Sequence, residues 1–297
     1  MRIGMIGLDT SHSEIFTSLL NDRSATHHVP GGLITHAMPI YSEDLPISFE
    51  RYPKYRDIVE RRYDVIIVTE VDVLMDNVDA VIIGTVDGRN HLHWFKKVVS
   101  YKKPVFIDKP IAMSDREVDQ IIELAKRYNT PVMSSSSLRF ADSVERLKNL
   151  GMEKFESGYF YGPLPMQKAM PGYFWYGVHT IELIVSLLGG NLQVMHREKT
   201  ERFETLRLLR NGTEELLVRG DYSWHDRFGG ILHFGNRTEA FQLWNDERPY
   251  YANLLEEMIG FFQTGETKVP LEETAKIIRL IEEINGMGVS SNQCKNR

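Results

Sequence analysis

Cysteine is almost missing from this chain: of 297 residues only Cys294, in a polar tail, carries a thiol. That excludes a disulfide framework and a thiolate metal cluster, and it fits a reducing compartment. Long apolar runs are also missing, so no segment is expected to span a membrane. The opening Met1-Arg2-Ile3-Gly4-Met5-Ile6-Gly7 passes straight into a strand-like stretch, with no signal-type apolar core. Nor is there an excess of positive charge. Thirty-five Lys and Arg face 41 Asp and Glu, and the formal net charge of -6 offers no electrostatic footprint for nucleic acid or an anionic membrane. The expectation is a cytoplasmic protein whose partner is a small molecule.

The composition that remains is that of an ordinary globular chain, 42% hydrophobic and 26% charged, long enough for about two domains. Residues 79 to 114 organise the first of them. Ala80 to Ile83 and Pro104 to Ile107 are short runs rich in Val and Ile, and a helical segment from about Asn90 to Ser100 lies between them. This is a βαβ unit, so its strands are expected parallel and joined by a right-handed crossover. In such sheets the ligand crevice lies beyond the carboxyl ends of the strands, where Thr85-Val86-Asp87 and Asp108-Lys109-Pro110 fall. A lysine there, fixed by a following proline, can take or give the proton of a reacting hydroxyl, or it can be a solvated cation paired with Asp108.

Glycine is scarce at one place where it matters. After the first strand, residues 2 to 6, Gly7-Leu8-Asp9-Thr10-Ser11-His12 occupies the position of a G-x-G-x-x-G turn, with Gly7 on its first glycine, Asp9 on the second and His12 on the third. A carboxylate at the second position would repel a pyrophosphate. Thr10, Ser11 and His12 can still offer hydroxyl, imidazole and backbone donors to a phosphate at the start of the next helix, or cap that helix, with Ser11 or Ser13 as the N-cap. No acid stands at the end of the second strand, Leu33 to Ala37, where one would hold a ribose hydroxyl, so a choice between NAD and NADP is not readable. Tyr41 to Tyr52 is expected to be a long loop of the kind that covers a site.

Further on, Asp64 to Thr69 reads as a strand, and Ser114 caps an amphipathic helix to Tyr128. Ser134 to Ser137 then follows a strand, either as a domain hinge or as a polar ligand wall, with Arg139 two residues beyond. The boundary is set there, giving domains over 1–136 and 137–297. In the second, six strand candidates between 155 and 244 include several with no helix between them, and Asn211-Gly212 marks a type I' hairpin. These imply a mostly antiparallel sheet with one open face. One helix, Val178 to Leu188, carries His179 and Glu182 on one side, with Trp175 a turn earlier if the helix starts early. Two closing helices, about Tyr251 to Phe262 and Leu271 to Asn285, look structural.

Taken in order, the glycine turn, Asp79 to Ile83, Asp108-Lys109-Pro110, Leu138-Arg139-Phe140 and Gly177-Val178-His179 resemble the Gfo/Idh/MocA family, relatives of glucose-fructose oxidoreductase and inositol dehydrogenase. The resemblance covers nearly the whole length. It implies an α/β Rossmann domain with a parallel sheet, followed by an α+β domain with an open-faced, mostly antiparallel sheet through which homo-oligomers pack. It also implies hydride transfer between NAD or NADP and a sugar-like or polyol hydroxyl. Lys109 would be the proton-transfer lysine and His179 the substrate-orienting or acid/base histidine. The dinucleotide would lie against Gly7, Asp9, Thr10, Ser11 and His12 on one side, and Thr85, Asp87, His91, Asp108 and Pro110 on the other. Arg139, Trp175, Tyr176 and Glu182 would face the substrate. The family's helper aspartate sits four residues before its histidine, and here that position is Trp175. Two alternatives stand beside this reading: a ligand or dinucleotide sensor without turnover, and a metal-assisted lyase or isomerase drawing on His12, Asp87, His91, His93 and His179.

Overall fold

A computed structural model describes residues 1–288 and 290–291, so Cys294 lies outside the described residues. Two compact units form. The first comprises Met1–Ser137 and Tyr251–Ala275, and the second runs from Leu138 to Tyr250 and resumes at Lys276. A single cut between 136 and 137 therefore does not separate them, because the closing helices are shared out between the units.

In the first unit the chain runs β1 (Arg2–Ile6), α1 (Ser11–Asn21), β2 (Leu33–Met38), α2 (Pro46–Phe49), α3 (Tyr52–Tyr63), β3 (Ile66–Ile67), α4 (Val71–Asn77) and β4 (Ala80–Ile83). It continues through α5 (His91–Val98), β5 (Val105–Ile107), α6 (Asp115–Tyr128) and β6 (Val132–Ser134). All six strands are parallel, in the order β3-β2-β1-β4-β5-β6. Strand order reverses between β1 and β4, and that reversal opens the crevice at the carboxyl edge. Because helices cover both faces, the central strands read as unbroken apolar runs, and Ala80 to Ile83 and Val105 to Ile107 are all fully buried.

Local chemistry explains most boundaries. Ser114 accepts from the Glu117 N–H while the Glu117 carboxylate accepts from Met113 N–H at 3.0 Å, a reciprocal cap that starts α6. The α1 cap is Thr10, whose hydroxyl accepts from His12 N–H, and not the expected Ser11 or Ser13. The strand expected over 64–69 shrinks to two residues because Asp64, at φ 55, is used to close α3. The expected loop at 41–52 contains α2, whose Ser48 is buried.

The second unit holds α7 (Asp142–Asn149), β7 (Phe155–Pro163), α8 (Gly177–Leu188), β8 (Leu192–Lys199), β9 (Phe203–Arg210), β10 (Glu214–Asp221), β11 (Gly229–Phe234) and β12 (Arg237–Gln242). The chain then forms α9 (Tyr250–Thr264) and α10 (Leu271–Gly286), each crossing a unit boundary, and β13 (Ser290–Ser291) is the last element among the described residues. The sheet order is β12-β11-β7-β10-β9-β8-β13. It is mostly antiparallel, but its central pair β7–β10 is parallel, since α8 and the β8–β9 pair intervene between them in sequence. Asn211 and Gly212 have φ of 52° and 81°, and Thr213 N–H bonds Arg210 O, as a type I' turn requires. Arg210 then opposes Glu214, so the hairpin closes over three residues.

Alternation builds the layer. Leu206, Leu208, Leu216 and Val218 are buried on one face, whereas Arg207 and Leu217 are exposed on the other. The buried face meets α8, and Gly162 of β7 permits that approach: a Cβ there would lie 2.7 Å from Thr180 Oγ1.

Candidate active site

The crevice of the first unit begins at Gly7. Its φ is +103°, and a Cβ there would stand 2.6 Å from Thr85 N, so only glycine lets the β1–α1 turn pass beside the β4 loop. Asp9, two residues on, is fully buried and points inward. Its Oδ1 accepts from Val86 N–H at 3.0 Å and its Oδ2 from the Ser48 hydroxyl at 2.6 Å. Ser48 Oγ accepts in turn from Ser42 N–H, and the Ser42 hydroxyl donates to Asp87 Oδ2 at 2.7 Å. The Arg89 guanidinium closes the chain between Asp87 and Asp44. The loop after β2 is thereby fastened to the loops after β1 and β4.

Burial pushes the Asp9 carboxyl up to about 6, against the pull of Ser48 and Val86 and with a push from the Asp87 charge. For Asp87 burial works in the same direction, but Arg89 and Ser42 outweigh it and hold the carboxyl below its usual range. The sign for Asp9 follows from linkage. Stability is complete below the unfolded value of 3.8, declines as pH rises, and above about pH 6 carries a cost on the order of 3 kcal/mol. Asp9→Asn removes that cost, so in urea titrations the variant's advantage over wild type grows between about pH 4 and about pH 7. A constant difference across that range would show that Asp9 does not titrate there.

At the end of β5, Asp108 is buried and meets His12 across the crevice floor, with Nδ1 at 2.7 Å from Oδ2. His12 Nε2 lies 3.2 Å from the Tyr251 hydroxyl, and its ring stacks on Phe16 with centroids 5.2 Å apart. Burial alone would raise the Asp108 carboxyl, but the charge and hydrogen bond of His12, with Lys109 adding, hold it down to about 2. Its stabilising contribution is complete above about pH 4 and fades towards pH 2. Lys109 follows, half-buried, and is joined to Pro110 by a cis peptide. His91 faces two carbonyl oxygens, Pro110 O at 2.8 Å through Nδ1 and Thr85 O at 2.9 Å through Nε2. Its ring is spent as a bridge between the β4 and β5 loops.

The remaining sequence candidates belong to the second unit. His179 is buried at the start of α8, with Tyr176 and Phe228 at ring-centroid distances of 5.6 and 5.7 Å. Trp175 does not share the α8 face, because the helix starts at Gly177; Trp175 is buried in the preceding turn, edge-on to Tyr176. Arg139 Nε donates to Glu182 Oε1 at 3.0 Å, and both side chains are buried, so these two meet each other. Ser42, Ser48, Arg89, Phe228 and Tyr251 were not singled out by sequence. Only Arg89 had a local signal, the Asp-x-Arg spacing that lets Asp87 accept from Arg89 N–H and cap a short 3-10 turn.

Residues 1–136 match the profile of the Gfo/Idh/MocA oxidoreductase family, which has an NAD-binding Rossmann fold. No curated protein matches the chain. Solved structures share the fold of this chain at low identity. The dehydrogenase MviM of Clostridium difficile is 15% identical with a TM-score of 0.73, over 96% of this chain and 98% of that one. WlbA dehydrogenase of Thermus thermophilus, solved with NAD and UDP-GlcNAcA, is 16% identical with a TM-score of 0.72, over 100% and 98%. KijD10, a 3-ketoreductase of Actinomadura kijaniata solved with TDP-benzene and NADP, is 13% identical with a TM-score of 0.71, over 98% of each chain.

The crevice of the first unit fits a dinucleotide on its own geometry. Gly7 keeps the turn free of side chain, Thr10 caps an eleven-residue helix whose N-terminus favours anions, and the two carboxylates that could repel a pyrophosphate, Asp9 and Asp87, are turned inward and buried. The metal-assisted alternative loses its basis. Among the described residues no three His, Cys, Asp or Glu side chains group to hold a metal ion, His91 is committed to two carbonyls, and His93 is exposed on α5. Among the described residues, too, no helix is long and apolar enough to cross a membrane.

Proposed function

We propose that the chain transfers a hydride between NAD or NADP and a hydroxyl or carbonyl carbon of a sugar-like or polyol substrate, with Lys109 as the proton-transfer group. The observation that carries this reading is Lys109 itself, half-buried at the end of β5 in an NAD-binding domain, behind a buried and ionised Asp108. Relatives support the substrate class: WlbA was solved with a UDP-sugar, and GnnA of Acidithiobacillus ferrooxidans is a UDP-N-acetylglucosamine 3-dehydrogenase.

A bound dinucleotide would supply or accept the hydride. The β1–α1 turn from Gly7 to His12, with Thr85, Asp87 and Pro110, would hold it. Asp108 and His91 act one step back: each ties a strand end in place, so that Lys109 is presented by a fixed backbone. Lys109 takes the proton from the hydroxyl being oxidised, or returns it to the carbonyl being reduced. His179 orients a hydroxyl, and the faces of Trp175 and Tyr176 pack against the sugar ring. An indole cannot relay a proton, so in the position of the helper aspartate Trp175 contributes shape alone. Arg139 and Glu182 serve as an internal strut under α8. The open sheet face, with Tyr159, Leu217, Ile231 and Ala240 aligned across four strands, is the surface for self-association, and the compartment is the cytoplasm.

Titration of the purified protein with NAD+, NADH, NADP+ and NADPH, followed by tryptophan fluorescence and checked by calorimetry, tests the reading. Saturable binding of one redox pair is expected, and then turnover with members of a sugar-nucleotide and polyol panel. Absence of binding up to about millimolar concentration would sink it.

A further inference from the structure

A histidine at the third position of the glycine turn does more here than begin a helix. His12 brings together three stretches of the first unit that are far apart in sequence: the start of α1, the end of β5 and the start of α9. Burying a carboxylate and an imidazole is costly unless each is paired and hydrogen-bonded, and both are. The pairing also fixes proton positions. Asp108 is ionised and accepts, so His12 Nδ1 must carry a hydrogen. Nε2 is then the variable site. In the neutral ring it accepts from the Tyr251 O–H; in the charged ring it donates to the Tyr251 oxygen. One proton can therefore pass between Tyr251 and His12 without moving a heavy atom, while Phe16 holds the ring plane. Asp108 and Lys109 from the β5 end and Tyr251 from α9 are titratable groups that surround this arrangement.

We propose that Tyr251, His12 and Asp108 form a proton relay serving Lys109, with His12 as the residue that stores the proton. The proposal rests on the hydride-transfer reading above. In the oxidative direction the substrate O–H bond breaks, its proton goes to the Lys109 amine, and the hydride and its two electrons leave for the oxidised dinucleotide. Lys109 and Tyr251 are both part exposed, so the ammonium hands its proton through solvent to the Tyr251 oxygen as the Tyr251 hydrogen moves to His12 Nε2. Lys109 is again an amine, Tyr251 again a phenol, and His12 an imidazolium balanced by Asp108. Reduction runs the same sequence backwards. His12 and Asp108 thus act through Tyr251 and Lys109 and are positioning residues.

The test needs no substrate to begin. In nitrogen-15 NMR of the full chain, the His12 Nδ1–H is expected to persist on both sides of the ring's titration and to exchange slowly, while the Nε2 titration midpoint moves when Tyr251→Phe removes one half-exposed oxygen. A neutral His12 that carries its proton on Nε2, or a midpoint unmoved by Tyr251→Phe, overturns the relay. Once a substrate is found, Tyr251→Phe and His12→Asn are expected to lower kcat on the order of 10²-fold and to flatten the pH profile, and Tyr251→Phe is expected to keep dinucleotide affinity within about twofold of wild type. An unchanged pH profile in Tyr251→Phe would likewise overturn it, and that variant keeps the test open should His12→Asn fail to fold. Failure of all four dinucleotides to bind would strike the hydride-transfer reading instead, and the NMR result distinguishes the two.

Discussion

With alanine at position 109, kcat is expected to fall by ~10²–10⁴-fold while the dinucleotide still binds, the loss that removal of a positioned general acid or base produces. Lys109 stands at a strand end whose neighbours are already fixed: Asp108 by His12, and Pro110 through its carbonyl by His91. Truncating the side chain therefore removes an amine without loosening the loop. Lys109→Arg should recover little, since a guanidinium stays protonated at every working pH and cannot accept the hydroxyl proton. The two variants together separate charge from proton transfer. Turnover in Lys109→Arg close to wild type would mean that the lysine only attracts the substrate, and another group carries the proton.

The largest effect on stability is expected from Gly7→Ala. Two costs add there: a left-handed φ of +103°, and a methyl group 2.6 Å from Thr85 N and 2.8 Å from Thr85 Cα, both main-chain atoms of an anchored loop. The sum is on the order of 4 kcal/mol, a large part of what an ordinary domain has in total. Gly212→Ala supplies the control. Its φ is +81° and nothing lies within 4 Å of the added carbon, so it should show the conformational cost alone, about 1–2 kcal/mol. Equal losses in the two variants, measured by urea denaturation, would show that the β1–α1 turn can move away from the β4 loop. Dinucleotide affinity should fall with Gly7→Ala and stay unchanged with Gly212→Ala.

What could be read from sequence was what depends on near neighbours. The β4 and β5 runs, the Ser114 cap and the Asn211-Gly212 turn are each decided within a few residues, and the chain order of motifs carried the two-domain plan and the likeness to the family. Where several adjacent residues competed for one role, position slipped: Thr10, Ser11 and Ser13 can all cap α1, and only the backbone geometry selects Thr10. The inward turn of Asp9 was out of reach. Its charge reads from sequence as repulsion at a phosphate site, and the partners that withdraw it, Ser48 and Val86, lie 39 and 77 residues away in stretches with no periodic pattern. Tyr251 is more distant still, 239 residues from His12, in a helix that reads as plain scaffold. The parallel β7–β10 pair escaped for a related reason, since strand direction depends on the whole path between the strands.

The first unit is not a continuous piece of chain. Gly32 leaves room for Ile259, Gly265 packs beside Pro131, and His12 meets Tyr251, so residues 1 to 137 on their own lack the segment that covers them. On the ribosome this imposes an order. Roughly 140 residues must still be made after Ser137 before the closing segment is complete, a wait on the order of 10 s. During that time the six-stranded sheet stands without Tyr251–Ala275, and the second unit emerges in between. An expression fragment stopped at the family boundary would remain in that waiting state, with the apolar floor intended for α9 open to other chains.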